Sequence, residues 1–472
     1  MQLTASRSRA PEVMSSLLLP RRGALLLLLL AGCKSGGIPA GGSADAAGSG
    51  GAAGTPAAGG AGGVSPAAGA AGLGASGGGP AGSAGTGINV SCGKPDCDGD
   101  GYDRPADCND DDPSVNPDAF DFAGDKVDND CDGIIDNPVE TCETSPASPP
   151  GTPEDFARSL DICPQRAKNK AGATVDPLLK TAWGKVSGPG LGAQNWTSET
   201  KPALQTNIVS SFGQNVPRKG ITMAGLSTGR WGAKTPRDDD ALDPPAYGLL
   251  DACASIPLAP SDCAILSNGS PKGGVSVQDF AELDVWLQVP SNAKGVSFDF
   301  SFFTSEFNQY WNTATNDAFF VLASNATMQG VNVAKQADGA GISVNSGFFQ
   351  LCPKTPPPGL FADKAIALGK CVGNDGDAAA QVFGSLTGTY FDGSASAPFD
   401  QTVTSTDGTK KYLYGGGTGW LTVAFPVTPG EQIMLRFMIM DTFDGLKDSS
   451  VLLDRLTWIA VPTVAAVVRP PK

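Results

Sequence analysis

The stretch from Asp96 to Asp136 restricts what this chain can fold into more than any other part of the sequence. It contains fifteen Asp, no Glu and two basic residues, Arg104 and Lys126, and therefore carries a net charge of −13. The complete chain of 472 residues carries −15, so the remainder is nearly neutral. Charge concentrated in this way must be solvated in a disordered segment or neutralised by cations in a folded one.

The spacing of the acids favours folding around cations. Calcium-binding loops place carboxylates at positions 1, 3 and 5, Gly at 6, a backbone carbonyl at 7 and a closing acid at 12. Counted from Asp96, the Gly position is occupied by Gly101. The first candidate loop takes its ligands from Asp96, Asp98, Asp100, the carbonyl of Tyr102, and Asp107.

The second candidate loop repeats the beginning of this pattern. Its ligands are Asp128, Asp130, Asp132, the carbonyl of Ile134, and Asp136. Val139 stands at its closing position, so the missing acid must come from elsewhere. We expect it from a middle cluster formed by Asp107, Asn109, Asp110, Asp111 and Asp112. Ca²⁺ is the expected cofactor because it takes six to eight hard oxygens, whereas Mg²⁺ requires a tight octahedron. The alternative is a disordered acidic linker.

The segments DCDGDGY, DCNDDDPSVNPDA and DNDCDG together resemble the MopE-type metal-binding motif of secreted and surface proteins of bacteria. This motif is similar in style to thrombospondin type 3 calcium repeats. The family has a Cys about seven positions before the equivalent of Cys131, where this chain has Gly124. The copper site of the protein that gives the motif its name is not expected, because the chain contains no His.

Residues 1–33 resemble an export signal. Two arginines precede an apolar run from Ala24 to Ala31, which is far too short to span a bilayer. The letters LAGC, ending at Cys33, resemble a bacterial lipobox, which implies cleavage before Cys33 and its diacylation. Lys34 follows, where lipoproteins retained at the inner membrane favour Asp, so we expect an outer-membrane, surface-exposed lipoprotein. The alternative is an ordinary secretory signal.

Composition divides the rest of the chain. Residues 34–88 are nearly all Gly, Ala, Ser and Pro and predict a flexible tether. The sequence TPED from Thr152 to Asp155 predicts a helix start, with the helix running to about Cys163. The expected organisation is signal 1–33, linker 34–88, metal-binding module 89–143, short linker 144–152, helix-containing connector 153–204, β-sandwich 205–462 and tail 463–472.

Eleven cysteines support export, because ten remain for disulfides once Cys33 carries lipid. The local pairs that we predict are Cys253 with Cys263, and Cys352 with Cys371. The six cysteines from Cys92 to Cys163 cannot be paired from the sequence.

From about residue 275 onward, apolar and polar residues alternate with a period of two. The strand-like segments are 283–289, 296–302, 319–323, 421–425, 433–439 and 452–458. Strands separated by Gly, Pro and Asn turns, with few helical patterns, predict a mainly β fold, an antiparallel β-sandwich or jelly roll.

Two acidic stretches interrupt these strands, SFFTSEFNQYWNTATNDAFFV and MDTFDGLKDSSVLLD. Together with GLSTGRW at 225–231 they resemble the choice-of-anchor L domain over residues 205–460, which implies a β-sandwich on a cell surface. Phe307 and Asn308 replace the second Glu and the Tyr of that family's S-E-E-Y segment. A second metal site is expected from Glu306, Asp317, Asp441 and Asp444. The alternative is ordinary polar turn chemistry.

The absence of His excludes His-based catalytic triads and His-zinc sites. Gly225 to Gly229 fits G-x-S-x-G, but a nucleophile at Ser227 would lack a His partner. The acidic charge argues against nucleic acid as a partner.

We therefore predict a surface-anchored, calcium-binding structural or adhesive lipoprotein without catalytic activity. It would contact the membrane through the lipid on Cys33, and a glycan or cell-surface partner is expected for the sandwich. One alternative is a carbohydrate-binding protein that uses Tyr310 and Trp311 for stacking. The other is a polysaccharide hydrolase that uses two carboxylates such as Glu306 and Asp441.

Overall fold

A computed structural model of the chain gives its architecture. It describes residues 92–138, 142–143, 149–166, 169–187, 197–200, 202–231, 253, 256, 258–267, 275, 277–307, 316–336, 339–345, 349, 351–352, 373–374, 385–389, 391, 403–404, 411–412, 415–442 and 447–468. The predicted signal, the tether, Cys33, Tyr310, Trp311, Cys371 and Asp444 lie outside these residues. None of the helices in the described part of the chain has the length and hydrophobicity needed to cross a bilayer.

Short helices and many strands make up the fold. The helices are α1 (Pro153–Arg158), α2 (Pro202–Gln205) and α3 (Pro260–Leu266). The strands are β1 (Leu178–Trp183), β2 (Lys185–Ser187), β3 (Thr197–Glu199), β4 (Thr206–Val209), β5 (Met223–Ser227), β6 (Val277–Gln288), β7 (Gly295–Thr304), β8 (Ala318–Ser324), β9 (Val331–Asn332), β10 (Ile342–Ser343), β11 (Leu351–Cys352), β12 (Gly373–Asn374), β13 (Val403–Thr404), β14 (Lys411–Tyr412), β15 (Gly416–Pro426), β16 (Gln432–Thr442), β17 (Ser449–Ile459) and β18 (Ala466–Val468).

Two large sheets face each other, which confirms the predicted mainly β, antiparallel sandwich. The first sheet has the order β1-β6-β16-β8-β10, with β9 added beside β8. The second has the order β12-β11-β15-β7-β17-β5-β4, with β18 added beside β15. The pairing of β11 with β12 is parallel, and the other pairings within these two sheets are antiparallel. Strand β1 belongs to the first sheet although it lies before residue 205.

The alternating residues of the long strands fill the space between the sheets. The ring of Phe298 on β7 lies 5.2 Å from that of Phe437 on β16, and Phe300 lies 5.1 Å from Phe319 on β8. The continuous apolar run from Phe319 to Ala323 is buried on both faces, because its even-numbered residues pack in a second cluster with residues of α3. Burial of both faces explains why β8 lacks the alternation of its neighbours.

Strand β17 departs from the predicted alternation. Leu452 faces the outer side of the second sheet, whereas Leu456 and Trp458 face the core between the sheets. A β-bulge between Asp454 and Thr457, with Arg455 at φ 52°, shifts the strand by one residue and reverses its faces. The period of two predicted for residues 452–458 is therefore interrupted in β17.

The outward side of β7 is also buried, so alternation does not place its polar residues in water. Asp299 has no solvent exposure and is held by Arg218 and Arg455, with Nε–Oδ2 distances of 3.2 and 2.8 Å. The hydroxyl of Thr422 donates to its other oxygen at 2.6 Å. A buried carboxylate is tolerated here because cations and a donor surround it.

Helix α1 begins where the sequence predicts and ends earlier. Thr152 and Asp155 form a capping box, with Pro153 in the first turn. The helix ends at Arg158 instead of near Cys163, because Asp161 adopts φ 65° and the carbonyl of Leu160 accepts a hydrogen bond from β17. The chain is thereby directed along the second sheet.

Four disulfides join described cysteines. They are Cys92–Cys97, Cys108–Cys131, Cys142–Cys163 and Cys253–Cys263. The last is one of the two local pairs that the sequence predicts; the other, Cys352 with Cys371, includes a cysteine outside the described residues. The first two lie within the acidic module, and the third joins its end to the segment after α1.

Candidate metal centre

The first candidate loop is built by hydrogen bonds between its own backbone and its carboxylates. The amide of Gly101 donates to Asp96 Oδ2 at 3.1 Å, and that of Tyr102 donates to Asp100 Oδ1 at 2.8 Å. Gly101 adopts φ 98°, a conformation that favours Gly and lets the chain turn back over the carboxylates. Asp96 Oδ1 also accepts a hydrogen bond from the amide of Gly99 at 2.6 Å, whereas Asp100 Oδ2 is left for another partner.

Carboxylate oxygens of three residues come together at this loop. Single oxygens of Asp98, Asp100 and Asp107 lie within 4.8 Å of one another. The Oδ2 atoms of all three residues are buried and have no hydrogen-bond partner. Three converging, unsatisfied anionic oxygens are unfavourable unless a cation neutralises them, so this triad fits a metal ion.

Asp107 closes this triad from position 12 and is only 1% exposed. Its Oδ1 accepts a hydrogen bond from the amide of Asn109 at 2.7 Å, which leaves Oδ2 for the site. Burial, together with the negative charges of Asp100 and Asp98, raises the pKa of Asp107 to about 6. A proton or a metal ion would relieve the same repulsion.

A second group of acids shares Asp98 with the first. Oxygens of Asp96, Asp98 and Asp110 also lie within 4.8 Å of one another. Asp110, which is fully buried, accepts a hydrogen bond from the amide of Cys97 at 2.8 Å and pairs with Arg104 at 3.6 Å. Because Arg104 already supplies positive charge to this group, the triad of Asp98, Asp100 and Asp107 is the stronger candidate site.

The second loop repeats the backbone pattern of the first. The amide of Gly133, at φ 90°, donates to Asp128 Oδ2 at 3.0 Å, as Gly101 donates to Asp96. The amide of Ile134 donates to Asp132 Oδ1 at 2.8 Å, as Tyr102 donates to Asp100. The equivalent positions of the two loops therefore fold in the same way.

The carboxylates of the second loop also converge. Oxygens of Asp128, Asp130 and Asp132 lie within 4.8 Å of one another, and Asp130 is 2% exposed. Burial, together with the negative charge of Asp132, raises the pKa of Asp130 to about 7. This triad is the second place in the module that fits a cation.

In the middle cluster, two acids group with the first loop and another caps a local turn. Asp107 and Asp110 lie with the first loop. Asp112 accepts hydrogen bonds from the amide and the hydroxyl of Ser114, at 3.0 and 2.7 Å. Asp136, at position 9 of the second loop, accepts from the amides of residues 124 and 126. These two carboxylates thus cap local turns.

Two residues that the sequence did not single out lie beside the second triad. The side-chain amide of Asn137 donates to Asp130 Oδ2 at 3.0 Å. The carboxylate of Asp121 accepts from the amides of Asn129 and Asn137, and its charge contributes to the raised pKa of Asp130. Neither residue occupies a ligand position of the calcium-loop pattern, so the spacing of the acids does not indicate them.

A buried amide side chain contributes to the docking of the module on the sandwich. Asn292, in the turn between β6 and β7, accepts from the amide of Phe120 and donates to the carbonyls of Ser114 and Phe120, at 2.9 to 3.1 Å. Phe120 and Phe122 pack against the core between the sheets. The acidic module is therefore fixed to the sandwich and does not stand away from it.

Replacing Asn292 by Ala should weaken this attachment. Three hydrogen bonds are lost and buried backbone groups of the module are left unsatisfied, so we expect unfolding to require about 2–4 kcal/mol less. Urea denaturation measures the change, with the exposed neighbour Lys294→Ala as the matched control, expected within about 0.5 kcal/mol of wild type. A fall of the same size in both variants would contradict this role of Asn292.

The residues of the predicted second site lie together at one end of the sandwich. Glu306 follows β7, Asp317 precedes β8 and Asp441 lies near the end of β16, and all three are buried. Asp444 lies outside the described residues.

Ser227 of the G-x-S-x-G segment lies in β5, buried, with its hydroxyl donating to the carbonyl of Ser449 at 3.1 Å. It is therefore part of a sheet and not of a strand-to-helix turn.

Comparison with known proteins agrees with the geometry of the acidic module. Residues 107–137 match the family model Cu-binding MopE, described as "Putative metal-binding motif". The match contains the whole second loop, whereas Asp96, Asp98 and Asp100 precede it. No curated protein and no solved structure matches the chain. The match and the converging triads together indicate a metal-binding module.

The chemistry of the donors limits the class of metal. Every candidate ligand in the three acidic groups is a carboxylate, and the chain has no His. Cysteines 92, 97, 108 and 131 are consumed in disulfides and offer no thiolate. Oxygen-only ligand sets suit hard cations, whereas copper and zinc prefer imidazole or thiolate ligands.

Proposed function

We propose that this protein is an exported, lipid-anchored structural protein of the cell surface, whose acidic module folds around Ca²⁺ and whose sandwich forms the exposed domain. The observation that carries the metal-binding part is the triad of Asp98, Asp100 and Asp107, with three buried Oδ2 atoms that have no hydrogen-bond partner. We assign the protein no catalytic activity.

Ca²⁺ fits this module better than other hard cations. The D-x-D-x-D-G spacing supplies several carboxylates and a backbone carbonyl on a flexible turn, which suits the six to eight ligands of Ca²⁺. Mg²⁺ requires near-ideal octahedral geometry, which a loop with three carboxylates and a Gly hinge is less suited to enforce. Extracellular calcium modules bind with dissociation constants of roughly 10⁻⁴ to 10⁻³ M, so ambient Ca²⁺ would keep the site filled.

The export and anchoring part rests on different features. The lipobox-like sequence ending at Cys33 supports lipidation, and disulfides are typical of proteins folded outside the cytoplasm. The resemblance of residues 205–460 to the choice-of-anchor L domain supports a place on the cell surface. In this arrangement the Gly-rich tether connects the lipid to a module that is itself attached to the sandwich through Asn292.

The test is a Ca²⁺ titration by calorimetry of the full chain and of the variant with Asp98, Asp100 and Asp130 all changed to Asn. We expect saturable binding by the wild type and loss of the module's ions in the variant. Limited proteolysis should cut between residues 96 and 136 only when a chelator is present, because unneutralised carboxylates repel one another.

The matched control changes Asp103 and Asp125 to Asn and Glu154 to Gln. These three acids are exposed and lie outside the converging triads, so the control alters net charge equally and should retain the ions. Absence of binding by the wild type at millimolar Ca²⁺, or equal loss in the control, would overturn the proposal for the module.

A further inference from the structure

The core between the sheets ends, at one end of the sandwich, in a layer of acidic and hydroxyl side chains. In β16, every second residue from Ile433 to Ile439 faces the core, and Asp441 continues that series. Asp317 precedes the core residue Phe319 by two positions, and Ser449 of β17 precedes Val451 in the same way. All three polar residues are buried, so the apolar core changes into a polar layer without reaching solvent.

Hydrogen bonds across this layer join the two sheets. The hydroxyl of Ser449, on the second sheet, donates to Asp317 Oδ2, on the first, at 2.6 Å. The amide of Asp317 donates to Glu306 Oε2 at 3.3 Å. The backbone carbonyl of Asp448 accepts from the hydroxyl and the amide of Ser305, which fixes Asp448 beside β7. The acids of the layer are thus contributed by both sheets and held in place.

Asp441 is the acid of this layer whose two carboxylate oxygens accept no hydrogen bond. It is 1% exposed, and neither of its carboxylate oxygens has a hydrogen-bond donor beside it. The neighbour placed to share a proton with it is another acid, Asp317. Burial raises the pKa of Asp441 well above its ordinary value, and the negative charges of Asp317, Asp279 and Asp448 raise it further.

A β-bulge brings a fourth Asp, Asp279, close to this layer. Between Ile439 and Asp441, the partner strand β6 contains one extra residue, and Asp279 in this bulge adopts φ 47°. Positive φ at a residue other than Gly costs free energy, and such conformations cluster at functional sites. Asp441, Asp317, Asp448 and Glu306 are thus buried beside the half-buried Asp279, and a proton or a cation would relieve the repulsion at Asp441.

We propose that Asp441, Asp317 and Asp448 bind a divalent, oxygen-preferring cation between the two sheets of the sandwich. This site is separate from the acidic module and does not depend on the function proposed for it. Its carboxylates are more widely spaced than the triads of the module, so neighbouring hydroxyl and carbonyl oxygens would complete the ligand set. A cation here joins the end of the first sheet to the end of the second.

The experiment uses the full chain with Asp98, Asp100 and Asp130 changed to Asn, which removes the sites of the module. Equilibrium dialysis against CaCl₂ should find about one Ca²⁺ per chain remaining, and the melting temperature should rise on adding Ca²⁺. Adding Asp441→Asn should remove both the ion and the Ca²⁺-dependent shift. In chelator, the Asp441→Asn variant should melt no lower than its background, because an unbalanced buried charge has been removed.

The matched control in the same background is Asp284→Asn. Asp284 is a buried acid of β6 that pairs with Arg436 away from this layer, so the control should retain the ion and the shift. If the background variant binds no Ca²⁺ and its melting temperature ignores Ca²⁺, the layer is neutralised by protons and the proposal is wrong. Equal loss of the ion in the Asp284→Asn control would also overturn it. The difference in bound Ca²⁺ between the wild type and the background variant measures binding by the module alone. Failure of either proposal can therefore be recognised separately.

Discussion

Changing Asp98 alone to Asn is expected to weaken Ca²⁺ binding by the first loop at least about 10- to 100-fold. Asp98 contributes an oxygen to both groups of acids in this loop, that with Asp100 and Asp107 and that with Asp96 and Asp110. No other residue of the module belongs to two of the three groups found among the described residues. Its loss removes negative charge and an oxygen from both groups at once.

Calorimetric titration with Ca²⁺ measures this effect, and Asp103→Asn is the matched control. Asp103 is an exposed acid of the same loop that belongs to none of the converging groups. The control should bind Ca²⁺ within about twofold of the wild type, since screening weakens the contribution of an exposed, distant charge. If Asp98→Asn and Asp103→Asn bind equally well, general acidity and not the geometry of the triads determines metal binding.

Replacing Cys108 and Cys131 together by Ser is expected to weaken Ca²⁺ binding at both loops. Their disulfide closes a loop spanning 23 positions. Cys108 directly follows Asp107 of one triad, and Cys131 lies between Asp130 and Asp132 of the other. A disulfide that closes a loop of this length stabilises the folded state by about 3 kcal/mol, because it lowers the conformational entropy of the unfolded chain. Without it, binding energy must also order the loops, and we expect apparent affinity to fall about 10- to 100-fold.

The control for this variant is replacement of Cys253 and Cys263 by Ser. That disulfide lies outside the module, so its loss should lower thermal stability and leave the Ca²⁺ affinity unchanged. Calorimetry measures affinity, and proteolysis at fixed Ca²⁺ reports whether residues 96–136 remain folded. An unchanged affinity in the Cys108–Cys131 variant would mean that the local turns alone preorganise the two triads.

The first loop is connected to the segment that follows α1 through Tyr102. The backbone of Tyr102 lies at position 7 of the loop, and its hydroxyl donates to Asp118. The same hydroxyl accepts a hydrogen bond from the amide of Lys170, and the ammonium of Lys170 donates to the carbonyl of Gly101. Ordering of this loop by a cation would therefore also order the contact between module and connector.

The sequence by itself determined the local structure of the module and the class of the fold. Hydrogen bonds from Gly101 to Asp96 and from Gly133 to Asp128 join residues five positions apart, so spacing alone specifies them. Alternation of apolar residues likewise predicted two facing sheets, because a strand with a period of two buries one face. The pairing of Cys253 with Cys263 could also be predicted from the sequence, because the two residues are only 10 positions apart.

The tertiary structure decided which distant groups meet. Asp110 joins Asp96 and Asp98, and Asn292 accepts a hydrogen bond from the amide of Phe120, which lies 172 positions earlier in the chain. The bulges at Arg455 and Asp279 reverse faces that alternation assigns, because one inserted residue shifts every following side chain. These contacts depend on strand register and packing between layers, which no local spacing in the sequence encodes.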